Sequence, residues 1–156
     1  MAAFNKTGVF DHAMGHFGIG EINWSTGQTD IFAMLQDNTL PTKATYAHYS
    51  DVKAQPSPQL ANGNGYTTGG LAIAPITADH NGGGSTIVQF DAADLAIAGS
   101  TYSTYGTILN HGVIATDTNA LISYHQFGGV QTVVAGTLTI AWAATGCFTI
   151  TVGAEA

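Results

Sequence analysis

His12 and His16, in the run HAMGH, stand four residues apart, the spacing that sets two imidazoles on one helix face where they can hold zinc. The metalloprotease form of that pattern needs a glutamate directly after the first histidine, and Ala13 occupies the position. Gly15 and Gly18 also weaken a helix there, so the pair is expected to face solvent or a partner, not a metal. His48, His80, His111 and His125 are scattered along the chain, and only the fold can bring them together. Asp91 and Asp94, in DAAD, offer two carboxylates after a strand-like run. A calcium loop needs oxygen ligands at alternate positions and a closing bidentate glutamate. Glutamate occurs only at Glu21 and Glu155, so capping of a turn is the expected role of DAAD. The dispersed acids likewise supply no local pair for glycoside hydrolysis.

GNGYTTGG, residues 63–70, has the look of a dinucleotide loop. Such a loop must follow a strand and open a helix, whose N-terminus receives the pyrophosphate. Here Pro56 and Pro58 precede it and the strand-like LAIA follows, so it reads as a tight turn whose glycines supply positive φ. GGGST, residues 82–86, lacks the spacing of a nucleophile elbow and the lysine of a phosphate loop. Cys147 is the only cysteine, which excludes an intramolecular disulfide. No basic group near it lowers a thiol pKa, and a small buried thiol is expected. Tyr46, Tyr49, Tyr102 and Tyr105 can stack on sugar if exposed; packing is their commoner use. From these motifs no catalytic, metal or cofactor residue is expected.

The elements that would position such groups are read from composition and pattern. The chain has 156 residues, enough for one domain with a core. Charged residues make up only 8%, against about a quarter in ordinary soluble domains, which suits a protein packed against neighbours. The net charge is −7 and the three basic residues are Lys6, Lys43 and Lys53. Nucleic acid and anionic membrane surfaces both require basic clusters, so neither is expected as a partner. No secretory signal pattern and no membrane-length apolar run is apparent.

Residues 1–20 mix Phe4, Phe10 and Phe17 with Gly8, Gly15, Gly18 and Gly20 without a clear period. They are expected to form an extended N-terminal arm that contributes little to the fold, with the three phenylalanines as partner-binding anchors. Residues 21–156 are expected to form one domain. DIFAMLQ, residues 30–36, fits helix or strand, and its early stop at Asn38 and Pro41 favours strand. Residues 45–54 are the best helical stretch, closed by Pro56. Strands are expected over residues 71–77, 85–91, 95–98, 107–115, 120–127, 130–142 and 147–152, with turns between, including one at Gly128-Gly129. That succession predicts an all-β fold, an antiparallel β-sandwich with one short helix.

GYTTGG, then STIVQFDAADL, then LISYHQFGGVQTVVAGTLTIAW form an ordered set over residues 30–152. The set resembles small β-rich structural proteins of tailed-phage virions, among them capsid cement (decoration) proteins. After Asp94 the chain departs from that pattern and reads LAIAGSTYSTYGTIL. The resemblance implies a jelly-roll-like core, a homotrimer, a place on the phage head and a major capsid protein as partner. The alternatives are another virion component, such as a tail, neck or receptor-binding fibre domain, and a small carbohydrate-binding β domain.

Overall fold

In this computed structural model the described residues are 6–53, 59–80, 87–112 and 118–151, with the backbone alone for 77–80. In chain order the elements are β1 (Gly8–Val9), α1 (Ala13–Gly18), β2 (Ile31–Gln36), α2 (Tyr49–Lys53), β3 (Leu71–Ile73), β4 (Pro75–His80), β5 (Ile87–Ala92), β6 (Leu95–His111), β7 (Ala120–Ile140) and β8 (Phe148–Thr151). Five strands form one antiparallel sheet in the order β1-β7-β6-β2-β3, and three form a second in the order β4-β5-β8. With 53% strand and 9% helix, the protein is an all-β antiparallel sandwich.

The large sheet is apolar on both faces because its strands carry apolar residues at successive positions, as in the Ile-Phe-Ala-Met-Leu of β2. On one face Ile31, Ala33, Ile73, Leu109 and Ile122 meet Phe90 and Phe148 of the small sheet and Trp24 from the connecting chain. Phe90 and Phe148 stack at 4.6 Å, and Trp24 stands edge-on to both. On the other face Met34, Ile108, Leu121 and Tyr124 are covered by Phe10, Ala13, Tyr49 and Val52. DIFAMLQ is therefore a strand, buried on both sides. The expected helix over 45–54 shortens to α2. The Asp51 carboxylate accepts from the Ala47 and His48 backbone N–H groups at 2.8 and 2.9 Å, capping the chain just before the helix starts.

The expected arm needs correcting. Residues 6–20 are built into the domain: Gly8 and Val9 pair with Tyr124 and Ser123 of β7, and the Phe10 N–H donates to the Ile122 carbonyl at 3.0 Å. Phe10 is 0% exposed and packs on the Tyr124 ring. Phe17 lies against Phe90 and Phe148. A second short helix, α1, forms despite its glycines because Ala13 and Phe17 dock its two ends on the two apolar clusters; tertiary packing overrides propensity. Phe4 lies outside the described residues. Burial also explains why two phenylalanines read as partner anchors sit in or against the protein's own core: residue type alone does not say which surface an apolar side chain will cover.

The GNGYTTGG turn serves the core directly. Tyr66 is buried, and its hydroxyl accepts from the Leu35 N–H of β2 at 3.2 Å and from Gln59 Nε2 at 2.8 Å. Gln59 Oε1 in turn accepts from the Tyr49 hydroxyl at 2.9 Å. Burial pushes the Tyr66 phenol well above its usual pKa. Gly70, at φ 100°, lets the turn close on β2, since a Cβ there would stand 2.7 Å from the Ala33 carbonyl oxygen.

Two outcomes are expected in urea unfolding. Phe10→Ala should destabilise the domain by about 3–5 kcal/mol; an unchanged midpoint would restore the idea of a free arm. Tyr66→Phe should cost about 1–3 kcal/mol, because it removes the buried hydroxyl that accepts from the Leu35 N–H and from Gln59 Nε2.

Candidate functional site

β6 and β7 form one long hairpin ladder with four register shifts, two of which bend β7 between Gln126 and Gly136. Gly106 pairs with Gln126 and Thr104 with Gln131, so residues 127–130 bulge opposite Tyr105 alone. Gly128 and Gly129 supply the positive φ of that bend, at 77° and 143°. A second irregularity places Val134 and Ala135 opposite Thr101, with Ala135 at φ 48°. What reads as a turn at Gly128-Gly129, and as a gap in the strands between residues 98 and 107, is continuous bent strand.

The bends set two limbs of β7 across a groove of about 500 Å³, with Gln126, Phe127 and Gln131 on one side and Leu138 and Thr139 on the other. An adjoining groove of about 320 Å³ shares Gln126, Phe127, Ile140 and Ala141, and continues past His125, Trp142 and Thr145 to Cys147. The lining mixes aromatic, amide and hydroxyl side chains with aliphatic ones such as Leu138 and Ile140, and among the described residues it holds no acidic or lysine side chain. Gln131 Nε2 donates to the Phe127 carbonyl at 3.2 Å, bracing the bulge. The Trp142 N–H donates to Asp94 Oδ1 at 3.0 Å and its indole Nε1 to the Ala93 carbonyl at 3.2 Å. Asp94 thus acts as the cap expected of DAAD, and Asp91 accepts from the Ala92 N–H at 2.9 Å.

Beneath the groove Ser123 Oγ lies 2.9 Å from His125 Nε2, and the imidazole stands edge-on to Trp142. The pair has the outline of a nucleophile and its base, yet three features oppose that chemistry. Ser123 is 0% exposed. Burial lowers the His125 pKa to about 4, making it a weak base, and no described carboxylate orients the ring. Burial likewise pushes the Cys147 thiol up, with Asp91 adding to the effect, so the thiolate needed for nucleophilic attack is disfavoured. The arrangement can recognise neutral polar matter; it is poorly suited to activating a nucleophile.

The other sequence candidates are spread over the molecule. His16 pairs with Glu21 at 2.6 Å and stands edge-on to His48, while His12 is exposed. His111 pairs with Asp30 at 3.2 Å. Among the described residues no three or more His, Cys, Asp or Glu side chains assemble a metal site. GGGST and the His80 side chain lie outside the described residues. Tyr49 is buried, and Tyr46, Tyr102 and Tyr105 pack against clusters instead of standing free. The groove itself was not visible in sequence because it joins residues about a dozen apart through two bends; the GG pair inside a strand pattern was the available signal of a bulge. No protein-family model, curated protein or solved structure matches this chain.

His125 yields a pH prediction. Its folded pKa of about 4 lies below the ordinary 6.5, so between those values the unfolded chain binds the proton and the folded one does not. The associated stability is complete above pH 6.5 and falls as pH drops towards 4, by roughly 3 kcal/mol. His125→Gln stays neutral and keeps a polar atom for Ser123. It should flatten the loss of melting temperature between pH 6.5 and 4; an unchanged slope would refute the assignment.

Proposed function

We propose that this chain is a non-enzymatic structural protein of a tailed-phage virion, a capsid cement protein that stabilises the head by binding between major capsid subunits. The observation that carries the reading is the distribution of charge against exposure. Residues 95–116 and 118–154 hold no Asp, Glu, Lys or Arg, while Ile19 and Val134 stand 78% and 76% exposed. A surface so poor in charge suits a protein whose neighbours cover it. The ordered motif set over residues 30–152, with its resemblance to virion structural proteins, supplies the setting.

Adhesion then works through apolar contact repeated over many copies, where modest individual contacts sum to shell stability. With Phe10 in the core and Phe17 against Phe90, the large apolar side chains that the described residues of the N-terminal segment offer outward are Met14 and Ile19. They take over the anchoring role in this mechanism. A second reading, a carbohydrate-binding β domain, is favoured by the groove beside Phe127 and Trp142, uncharged and lined with amides and hydroxyls.

Purified protein added to phage heads lacking it should bind them, and electron cryomicroscopy should place it over seams between capsid subunits. Met14→Gln combined with Ile19→Gln should weaken that attachment at least tenfold while leaving the melting temperature unchanged. Density on the tail, neck or fibre instead would overturn the cement assignment. Calorimetric binding of neutral oligosaccharides, lost in Gln131→Ala, would select the second reading.

A further inference from the structure

Two of the chain's three basic residues, Lys6 and Lys43, line one cavity. It holds about 620 Å³, more than either groove beside β7 and within the roughly 300–1,000 Å³ of ligand sites. Tyr124 of β7 contributes to its wall, as do Leu40, Pro41 and Tyr46 from the chain between β2 and α2. Among the described residues no acidic side chain lines it. The third lysine, Lys53, lies on α2 with its Nζ 6.0 Å from the centroid of the Tyr49 ring.

The fold assembles this cavity from three separate segments. β1 pairs with β7 at Gly8 and Tyr124, and Lys6 stands two residues before that pair. Gly8 permits the close approach, since a Cβ there would stand 2.8 Å from the Tyr124 hydroxyl oxygen. The Asp11 N–H donates to the Lys43 carbonyl at 3.2 Å, which ties residue 43 to the segment after β1. The Thr45 and Tyr46 N–H groups donate to the Thr42 carbonyl at 3.2 and 2.9 Å, closing the turn that returns Tyr46 to the wall. Lys43 Nζ also donates to the Asp11 carboxylate, which raises the lysine pKa and keeps the ammonium charged. Asp11 itself lines a separate groove with Met14 and Ile150. The two side chains of that pair are 52% and 48% exposed, so water screens the contact and the ammonium can exchange one carboxylate for another.

We propose that this cavity binds an acidic peptide segment of a partner protein, with a carboxylate held by Lys6 and Lys43 and a neighbouring apolar side chain packed on Leu40, Pro41 and Tyr46. Charge complementarity selects that occupant. The chain carries −7, so an acidic segment is repelled by most of the surface and attracted where two lysines meet without an acid between them. Such complementarity fixes where and in which register a partner docks. Lys43 already engages one carboxylate, that of Asp11. Phosphate sites are built instead from arginine forks, glycine-rich loops or helix N-termini; the chain has no arginine, and neither of the other two is among the described lining residues. Two lysines are also too few to follow a nucleic-acid backbone. The inference goes beyond the cement reading and does not rest on it, because purified protein and a peptide suffice to test it.

The probe is the capped peptide Glu-Leu-Glu-Leu, titrated by calorimetry and by nuclear magnetic resonance. It should bind, shift the backbone amide signals of Thr39, Thr42 and Lys43, and weaken as salt is added. Lys6→Gln combined with Lys43→Gln should weaken binding at least tenfold, whereas Lys53→Gln should bind like wild type. Should loss of the Asp11 contact lower the melting temperature, Lys6→Gln alone, away from that pair, should still weaken binding at least threefold. Glu-Gln-Glu-Gln should bind about fivefold more weakly, having lost the apolar contact. Equal affinity for the two peptides, undiminished binding in the double lysine variant, or displacement of the peptide by an equal concentration of inorganic phosphate would each overturn the proposal. Asp117 and Glu155 lie outside the described residues. If Asp117→Asn with Glu155→Gln binds the peptide tenfold more tightly than wild type, the chain's own acids occupy the cavity, and the partner is overturned as well.

Discussion

The β6–β7 ladder is the constraint from which the rest of this structure follows. A straight strand of the length of β7 would run roughly 70 Å, well beyond the roughly 40 Å expected across a domain of this size. The ladder must therefore bend, and its register shifts are where it does so. Bending brings Ile97, Leu138 and Ile140 at the far end back against Leu35 and Tyr66. The strands that enter and leave the ladder, β5 and β8, then pair with each other and close the second sheet over the first. Each bend costs ladder hydrogen bonds, and the apolar cluster at the returning end is what offsets that loss.

Tyr66 holds the returning end in place. Its ring belongs to the cluster with Ile97 and Leu138, while its hydroxyl ties to β2 and, through Gln59, to Tyr49 at the opposite side of the sheet. One side chain thus links the cluster around Ile97 and Leu138 to the cluster around Tyr49. The glycines around it are needed because the turn approaches backbone on two sides: Gly70 lies against β2, and Gly65 against the Ala98 and Gly99 carbonyls of β6. Side chains larger than hydrogen would hold the turn off both strands, and the phenol would not reach Leu35.

Much of this was legible in the sequence, and the failures share a cause. Strand-forming runs bounded by glycine and asparagine gave the all-β class, and the early stop at Asn38 and Pro41 placed DIFAMLQ in a strand. Gly99 and Gly128-Gly129 look like breaks in sequence because glycine marks turns and bulges alike; only the partner strand decides between them. Phe10 looks like a partner anchor in sequence because a glycine-rich segment without period carries no signal of the surface it will cover, and here that surface is the protein's own sheet. The groove was invisible for the same reason: Gln126 and Ala141 meet only through the bends between them. Ser123 and His125 stood two apart in plain view, but their burial, which governs their chemistry, is a tertiary property.

The bends also explain why the groove and a strand without charge coincide. Beyond Gly128-Gly129, β7 stays paired with β6, and no other described strand borders it where the groove begins. The acids and lysines of this chain lie elsewhere, several of them tied locally, as Lys43 is to Asp11 and Glu21 to His16. Among the described residues, an uncharged stretch of strand thus lies beside an uncharged groove of about 500 Å³.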